Sequence, residues 1–383
     1  MNPMINETAI DYRPLTEPFD RAAVKAFKAQ SAAGAGASLS TIITVFVIGV
    51  IVLIGGSLVF FTLIPLVFAL LPTSSNGSVG LLVAAALALC VIGLVVFLLI
   101  RHTTGPNGQW GRWCRLSRFA QANGFLAFTQ SPDPQYPGAI FRVGSGRKSY
   151  DRVQSSTGRF IDIANYRYTT GSGKSRQTHS WGFMAMRLDR RLPHMVLDAR
   201  SNNGLFGGTN LPSHFSKDQI LNLEGDFNEY FTLYCPREYE RGALYVFTPD
   251  LMALLIDQTS TFDVEIVDDW MFVYSAQPLP ALNPMMWQRM FRIVNTVGAK
   301  TLDQTERYRD ERMVPAGAAA LAGAAATANL IAPQGQRLRK GISWIAIVIG
   351  VGVAVVWLRM NFGMRALGKT WQLASVSAQR LET

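Results

Sequence analysis

The sequence predicts an α+β soluble domain, with a mostly antiparallel sheet and flanking helices, attached to an N-terminal transmembrane helical hairpin and a C-terminal transmembrane helix. The hairpin is predicted by two uncharged apolar runs, 41–71 and 79–100, which only a short polar turn separates. Unbroken apolar stretches of roughly 18 residues or more are typical of bilayer spans. The α+β class is predicted by adjacent strand patterns with hairpin turns, followed by helices, in 105–313.

Composition agrees with a membrane protein. The 383 residues are 49% hydrophobic and only 16% charged, and the deficit of charge is concentrated in the apolar runs. A net charge of +10 favours proximity to anionic lipid head groups. No dense stripe of Lys and Arg is present, so nucleic acid is not an expected partner. The isolated cysteines Cys90, Cys114 and Cys235 indicate no disulfide framework and fit a reduced cytoplasmic setting.

The charges that flank the hairpin predict its orientation. Residues 1–40 read as a flexible cytoplasmic N-terminal segment, with a short helix from Asp20 to Gln30. Basic residues precede and follow the hairpin, whereas the turn 73–78 has no charge, so the N-terminus and the large domain are predicted to be cytoplasmic. The basic residues are Arg21, Lys25 and Lys28 before it, and Arg101, Arg112, Arg115 and Arg118 after it.

The domain 105–313 is predicted to begin with a helix and to continue as short strands. A helix over Gly111–Asn123 is indicated by apolar residues at helical spacing. Thr248-Pro249 and Asn283-Pro284 each place proline at a first helical position, and the second helix is predicted to reach about Arg312. The predicted strands are 125–129, 139–143, 150–154, 159–170, 178–188, 195–198, 220–223, 230–234, 262–267 and 270–274, with hairpin turns at 171–175 and 268–269.

The C-terminal part carries a third apolar run. Residues 314–340 form an Ala/Gly-rich linker with a basic end, and 341–358 is predicted as a third transmembrane helix. Trp344 and Trp357 lie near its ends, where aromatic belts form. Three crossings would put the tail, 359–383, outside the cell. If the third run is instead buried or lies flat, the tail stays inside.

One segment resembles a phosphate-binding loop. Gly171-Ser172-Gly173-Lys174-Ser175 contains the Gly-Lys pair, but the motif requires a glycine five positions before that pair, and Tyr168 is there instead. The preceding residues also lack the buried apolar strand that normally leads into such a loop. The segment is therefore predicted to be a hairpin turn rather than a nucleotide site.

Titratable residues do not form a recognisable catalytic or metal-binding pattern. Asp263 and Glu265 alternate with apolar residues, which predicts the solvated face of a strand, and Asp268-Asp269 is typical of a turn. His179, Asp198 and Ser180 could be combined into a triad, but no spacing supports it. The sequence thus predicts no catalytic, cofactor-binding or metal-binding residue and no cofactor. His102, His179, His194 and His214 also show no metal-ligand spacing.

Two segments are candidate contact surfaces. The loop Asn202–Leu211 is long, Gly-rich and polar, and such loops often carry binding; the alternative is a tolerated insertion. The second is a basic cluster, which could contact anionic lipid or be an ordinary solvated face. It consists of Arg147, Lys148, Arg152 and Arg159.

Several motifs together resemble a group of uncharacterised multi-pass membrane proteins that are common in actinobacteria. The resemblance covers roughly Trp110 to Thr301 and the preceding hairpin, and it implies membrane location and a shared soluble fold without an assigned activity. The motifs are Asn165-Tyr166-Arg167-Tyr168, the Gly-Ser-Gly-Lys turn, Leu192 to Arg200, Leu223 to Phe227, Tyr230 to Glu240, Phe247 to Met252 and Val264 to Trp270.

The sequence favours a non-enzymatic function. It predicts a cytoplasmic binding or scaffolding module anchored in the cell membrane, whose partners are the lipid bilayer and an unidentified protein at the cytoplasmic face. The alternative is a membrane-bound enzyme that acts on a lipid or cell-envelope precursor. An enzyme needs a pocket with converging titratable groups, whereas a scaffold needs an apolar patch or a charged contact face. A transporter is less favoured, because no predicted span carries a charged residue.

Overall fold

The structure is a computed structural model that describes residues 4–18, 21–33, 108–204, 208–310 and 329–341, with single positions at 93, 312 and within 351–359. Its helices are α1 (Arg13–Thr16), α2 (Arg21–Ala33), α3 (Gln109–Ala122), α4 (Phe227–Tyr230), α5 (Glu240–Val246), α6 (Pro249–Thr259), α7 (Pro284–Ile293), α8 (Ala299–Thr305) and α9 (Pro333–Gln336). Its strands are β1 (Phe125–Pro132), β2 (Ser145–Ser155), β3 (Ile161–Thr170), β4 (Gln177–Ala199), β5 (Ile220–Leu221), β6 (Phe231–Tyr234) and β7 (Asp263–Ser275).

The predicted α+β class, with a mostly antiparallel sheet and flanking helices, is confirmed. The chain divides into two compact units. The first comprises Met1–Pro134, Gly144–Met186 and Gln277–Ala299, and the second comprises Gln135–Val143, Arg187–Ala276 and Lys300–Thr383. Strand β4 contributes its first part to one unit and its second part to the other.

The predicted transmembrane runs, 41–71, 79–100 and 341–358, lie largely outside the described residues. Among the helices that are described, none is both long enough and apolar enough to cross a bilayer.

The sheet of the first unit is an antiparallel meander. Strand β1 pairs with β2, β2 with β3, and β3 with the first part of β4. The predicted hairpin turn at 171–175 is confirmed, because Thr170 pairs with Gln177 across it. Gly171 adopts a φ of +73°, a conformation that favours glycine in tight turns. Burial alternates along β1, but its first four residues are all apolar, so Leu126 and Phe128 are exposed.

Aromatic side chains from α3 and α7 form the core of the first unit. The ring of Trp287 lies 5.1 Å from that of Phe119 and 5.9 Å from that of Phe291, measured between centroids. The Trp287 indole donates a hydrogen bond of 2.9 Å to the Ala281 carbonyl. Asn283 caps α7 by accepting from the Met285 amide, with Pro284 at the first helical position, as the sequence predicts.

Asparagine side chains fix the N-terminal residues of the first unit. Asn295 accepts a hydrogen bond of 2.9 Å from the Ile5 amide and donates one of 2.7 Å to the Ile5 carbonyl. Asn123 makes the same pair of contacts with Asp11, at 2.7 and 3.0 Å. The predicted helix over 20–30 is confirmed as α2, which begins at Arg21.

The second unit is built on the later part of β4. Val196 pairs with Tyr234 of β6, β6 pairs with β5, and β7 also pairs with β4. Helix α6 follows Pro249 at its first position, as predicted. Buried apolar side chains of β4, β6 and β7, including Leu197, Leu233 and Phe272, make the core of this unit.

Residues 329–341, just before the third apolar run, are attached to the second unit by hydrogen bonds and ion pairs. The Leu338 amide donates to His194 Nδ1 at 3.0 Å, and Gln219 contacts both the amide and the carbonyl of Arg339. Arg337 pairs with Asp268 at 2.7 Å. The basic end of the predicted linker therefore contacts protein carboxylates.

Three predicted elements were wrong, and a predicted break between two strands is absent. Residues 139–143 form a turn, because Arg142 adopts a φ of +62°. The predicted strands 178–188 and 195–198 are one strand, β4. The predicted hairpin at 268–269 is absent, because Asp268 absorbs an irregularity at φ +54° within the single strand β7. The long helix from Asn283 is interrupted by a π-helical turn at Val294–Gly298 and ends at Thr305.

Gly144, before β2, is a position where any side chain should destabilise the fold. Its φ is +63°, and an added Cβ would overlap the Thr169 carbonyl oxygen. Gly146 has a similar φ of +61° but open space around it. We expect Gly144→Ala to lower the free energy of unfolding by about 2 kcal/mol more than Gly146→Ala, because both variants carry the conformational strain of roughly 1–2 kcal/mol and only the first carries the clash. Chemical denaturation of the full chain in detergent measures both free energies of unfolding. An equal loss of unfolding free energy in the two variants would contradict the described turn.

Candidate functional site

The second unit contains a cleft of about 630 Å³. Two segments far apart in the sequence line it, the turn and helix at 238–245 and the residues that follow α8. The side chains they contribute are mainly basic and aromatic. They are Glu238, Tyr239, Arg241, Gly242, Tyr245, Arg307, Tyr308, Arg309, Asp310 and Arg312.

Local structure explains why these residues converge. A 3₁₀ turn at Arg237–Tyr239 leads into α5, where Arg241 and Tyr245 are four residues apart and so share one helical face. Helix α8 ends at Thr305, whose hydroxyl bonds back to the Thr301 carbonyl at 2.7 Å. Residues 306–310 form a turn and irregular backbone, and charged residues among them line the cleft.

Asp310 is a buried hydrogen-bond acceptor in the cleft. It is only 5% exposed and accepts three hydrogen bonds, from the Tyr239 hydroxyl at 2.6 Å, the Ala332 amide at 2.9 Å and the Arg312 amide at 3.0 Å. The guanidinium of Arg312 lies 4.2 Å from the centroid of the Tyr239 ring, which is a cation–π contact. Asp310 therefore acts as an acceptor that fixes its neighbours.

The lining carries more positive than negative charge. Four arginines face two carboxylates, Glu238 and Asp310. Both carboxylates already contact Arg312, at 3.7 Å from Glu238 and 3.9 Å from Asp310. Arg307 and Arg309 are exposed and form no ion pair with any residue in the described part of the chain. The cleft is consequently suited to an anion.

Two tyrosines of the cleft, Tyr239 and Tyr308, have raised pKa values. Burial raises the pKa of Tyr308, and the nearby Asp310 charge adds to the effect. Burial and the hydrogen bond to Asp310 likewise raise the pKa of Tyr239. The ring of Tyr245 lies 6.0 Å from that of Tyr308 and is 45% exposed. The cleft thus offers aromatic faces beside its guanidinium groups.

This combination of side chains is suited to binding an anion. Guanidinium groups match the oxygens of phosphate and carboxylate groups, and aromatic faces accept apolar or ring-shaped parts of a ligand. Asp310 accepts hydrogen bonds from three donors, and Glu238 lies 3.7 Å from Arg312. The geometry defines a basic, aromatic-lined binding cleft in an α+β protein.

No protein-family profile matches the chain, and no curated protein matches it either. A solved structure that resembles part of the chain is the crystal structure of the mycobacterial trehalose monomycolate transport factor A, TtfA. It is 13% identical, the match covers 50% of this chain and 92% of that chain, and the TM-score is 0.34. A likeness at this level carries no argument about function.

The prediction that Asp263 and Glu265 lie on a solvated strand face was wrong. Asp263 and Glu265 are 0% and 1% exposed, because this strand is covered on both faces. Glu265 accepts hydrogen bonds from His194 Nε2 at 2.7 Å, the Tyr274 hydroxyl at 2.6 Å and the Ala139 amide at 2.7 Å. The Leu338 amide donates to His194 Nδ1, so Nε2 carries the proton.

The remaining candidates from the sequence are placed separately. His179 stacks on Tyr168 at 4.9 Å and contacts the Thr170 hydroxyl at 2.8 Å. The His179 ring therefore already has partners within the first unit. Asp198 accepts from Thr209 and Asn203 in the second unit. His179 and Asp198 therefore each have other partners, and no triad is indicated. Within the described residues, no group of three or more His, Cys, Asp or Glu is placed to hold a metal ion.

The residues of the two candidate contact surfaces make more contacts within the protein than the sequence suggests. In the basic cluster, Arg147 pairs with Asp133 at 2.8 Å and Arg152 with the buried Asp162 at 2.9 Å. Burial, followed by the charge of Arg167, lowers the pKa of Lys148. In the loop Asn202–Leu211, polar side chains contact buried carboxylates and Leu211 is buried.

The cleft itself was missed by sequence reasoning. Residues up to Arg312 were assigned to the end of a long helix, where alternating charges are typical of a solvated surface. The signal that could have found it is the repeated pairing of arginine with tyrosine, at Arg241 with Tyr245 and at Arg307-Tyr308-Arg309. Their convergence depends on tertiary structure.

Proposed function

We propose that this chain is a membrane-anchored binding protein, without enzymatic activity of its own, whose basic cleft binds an anionic group of the phosphate type. The observation that carries the proposal is the convergence of four arginines and three tyrosines on one cleft of about 630 Å³. Phosphate groups on a lipid head group and free phosphate esters share the chemistry that guanidinium groups recognise.

Membrane anchoring is supported by the apolar runs 41–71, 79–100 and 341–358 and by the basic residues beside them. The lipid bilayer is then one partner, and an unidentified protein at the cytoplasmic face is another. In this proposal the chain lies in the cell membrane with its N-terminus and α+β domain in the cytoplasm. The resemblance to uncharacterised actinobacterial membrane proteins is consistent with the same placement.

The alternative, a membrane-bound enzyme acting on a lipid or cell-envelope precursor, would use the same cleft. It is less supported because the cleft carboxylates are already engaged by tyrosine, arginine and backbone donors. The two functions are distinguished by incubating the purified chain with a bound phosphate ester. Recovery of the ester unchanged is expected for a binding protein, whereas turnover would establish the enzyme.

Removing two arginines should weaken anion binding. We expect Arg307→Ala/Arg309→Ala to bind glycerol 1-phosphate about tenfold more weakly than the unmodified chain, because each lost charge-assisted hydrogen bond contributes roughly 1.5 kcal/mol, less where solvent screens it. Isothermal titration calorimetry on the full chain in detergent micelles measures this.

The matched control is Lys174→Ala/Arg176→Ala, which removes the same charge from the exposed turn after β3 in the first unit. This control should bind as the unmodified chain does. Equal weakening of both variants would show a general charge effect and contradict the proposed site, as would full binding by the cleft variant.

The proposed orientation gives a separate expected result. A cysteine-reactive, membrane-impermeant reagent applied to intact cells should fail to label a cysteine introduced at Ser156, an exposed position after β2, and should label it after the cells are opened. Labelling in intact cells would place the α+β domain outside and overturn the cytoplasmic assignment.

A further inference from the structure

Residues 340 and 341 are attached directly to a packed part of the second unit. Lys340 pairs with Phe215 in an antiparallel β-bridge, and the Gly341 amide donates to the His214 carbonyl at 2.8 Å. The approach is close, because a Cβ on Gly341 would lie 2.5 Å from the Phe215 carbonyl oxygen. The ring of Phe215 is buried and lies 5.3 Å from that of Tyr234 in β6, measured between centroids. The backbone of 340–341 is therefore fixed on the surface of this unit.

The apolar run that is predicted to cross the bilayer starts at the same place. It covers 341–358, so Gly341 is both its first residue and a residue that is hydrogen-bonded to the second unit. Within this run, Val351, Val355 and Val356 are helical, and their side chains are 49–58% exposed. Exposed apolar side chains of this kind fit a lipid environment. A run that enters the bilayer at Gly341 would thus begin at the surface of the second unit, without a spacer.

The side chains beside this entry point are mainly basic. His214, Lys217, Arg339 and Lys340 are exposed. Asp218, which is next to Lys217 in the sequence, pairs with Arg339 at 2.5 Å, so its negative charge is compensated within the protein. Neither Lys217 nor Lys340 forms an ion pair with another residue that the structure describes. Two lysine charges are therefore available to an anionic partner.

We propose that the surface formed by His214, Lys217 and Lys340 contacts anionic lipid head groups of the inner leaflet. The inference rests on the proposed membrane anchoring, and it adds which face of the second unit meets the bilayer. Attraction of a lysine to an anionic membrane falls off within a Debye length, about 8–10 Å. A span that begins at Gly341 would hold Lys340, the preceding residue, within that distance.

The position of this surface is tested in the full chain, reconstituted in nanodiscs with equal amounts of phosphatidylglycerol and phosphatidylcholine. A photoreactive benzophenone amino acid replaces His214, whose side chain is exposed and whose backbone carbonyl bonds to Gly341. This choice keeps both lysines. Mass spectrometry identifies the adducts that form on irradiation, and we expect lipid adducts at this position.

The matched control places the same amino acid at Asp257, an exposed residue of α6 in the same unit. Helix α6 lies toward the far end of β4, because the Ser201 hydroxyl, just beyond this strand, bonds to the Ser260 carbonyl. His194, which bonds to the segment that leads to Gly341, lies earlier in the strand. We expect few or no lipid adducts at position 257.

The two lysines should select the anionic lipid. Lys217→Gln/Lys340→Gln should lower the ratio of phosphatidylglycerol to phosphatidylcholine adducts at position 214 by about fivefold or more, because each lysine beside an anionic surface contributes roughly that factor. Lys174→Gln/Arg176→Gln removes the same charge from the exposed turn after β3 in the first unit. The adduct ratio should not change in this control.

Two results would overturn the inference and leave the membrane anchoring intact. One is the absence of lipid adducts at position 214 in a chain that stays in the membrane during alkaline carbonate extraction. The other is an adduct ratio that shows no preference for phosphatidylglycerol, or that is the same in the unmodified surface and the double lysine variant. Extraction of the chain by carbonate would instead overturn the membrane anchoring of the proposed function, and this inference with it.

Discussion

Replacing Glu265 by alanine should lower the free energy of unfolding by roughly 3–5 kcal/mol, the cost of removing the shared acceptor of several buried hydrogen bonds. The change leaves three donors without their acceptor, the His194 ring, the Tyr274 hydroxyl and the Ala139 amide. Thermal unfolding of the full chain in detergent, followed by tryptophan fluorescence, should show a midpoint lower by about 6 °C or more.

Two further variants make this result specific. Tyr274→Phe removes a single donor from Glu265 and should cost only about 1 kcal/mol. Glu224→Ala removes an exposed carboxylate from the loop before α4 and should leave the midpoint within about 1 °C. A Glu265→Ala midpoint as close to the unmodified value as that of Glu224→Ala would contradict the buried network.

The second large effect is expected at Trp287 in the first unit. This side chain is 1% exposed and lies between Phe119 and Phe291. Trp287→Ala should lower the free energy of unfolding by roughly 3–5 kcal/mol, because it removes a large buried ring and leaves a cavity. The Ala281 carbonyl also loses its hydrogen-bond donor. Denaturant titration of the full chain measures the loss.

Met285, two residues before Trp287 in α7, provides the control because it is 73% exposed. Met285→Ala should change the free energy of unfolding by less than about 0.5 kcal/mol. Comparable effects at the two positions would mean that the described face of α7 is not the buried one.

Local patterns were sufficient for many elements of this fold. The alternation in β3 and the Gly-Ser-Gly-Lys turn predicted the hairpin that leads into β4, and Pro284 after Asn283 predicted the start of α7. These features depend on neighbours in the sequence, so they can be read from it. The same is true of the α+β class, which follows from the order of the strands and helices.

Long-range contacts explain what the sequence did not predict. Glu265 sits in an alternating pattern that is typical of a half-exposed strand, yet both faces of β7 are covered and its partners lie at positions 139, 194 and 274. The cleft was not predicted from the sequence for the same reason. Arg307 and Arg309 lie on what reads as a charged helix end, and only the termination of α8 at Thr305 directs them to a cleft.

The most direct test of the proposed function is a cryo-electron microscopy structure of the full chain in lipid nanodiscs with glycerol 1-phosphate. The proposal predicts density for the phosphate within hydrogen-bonding distance of Arg307 or Arg309, beside the rings of Tyr239 and Tyr308. Density for the ligand at another site, with the cleft empty at saturating concentration, would contradict it.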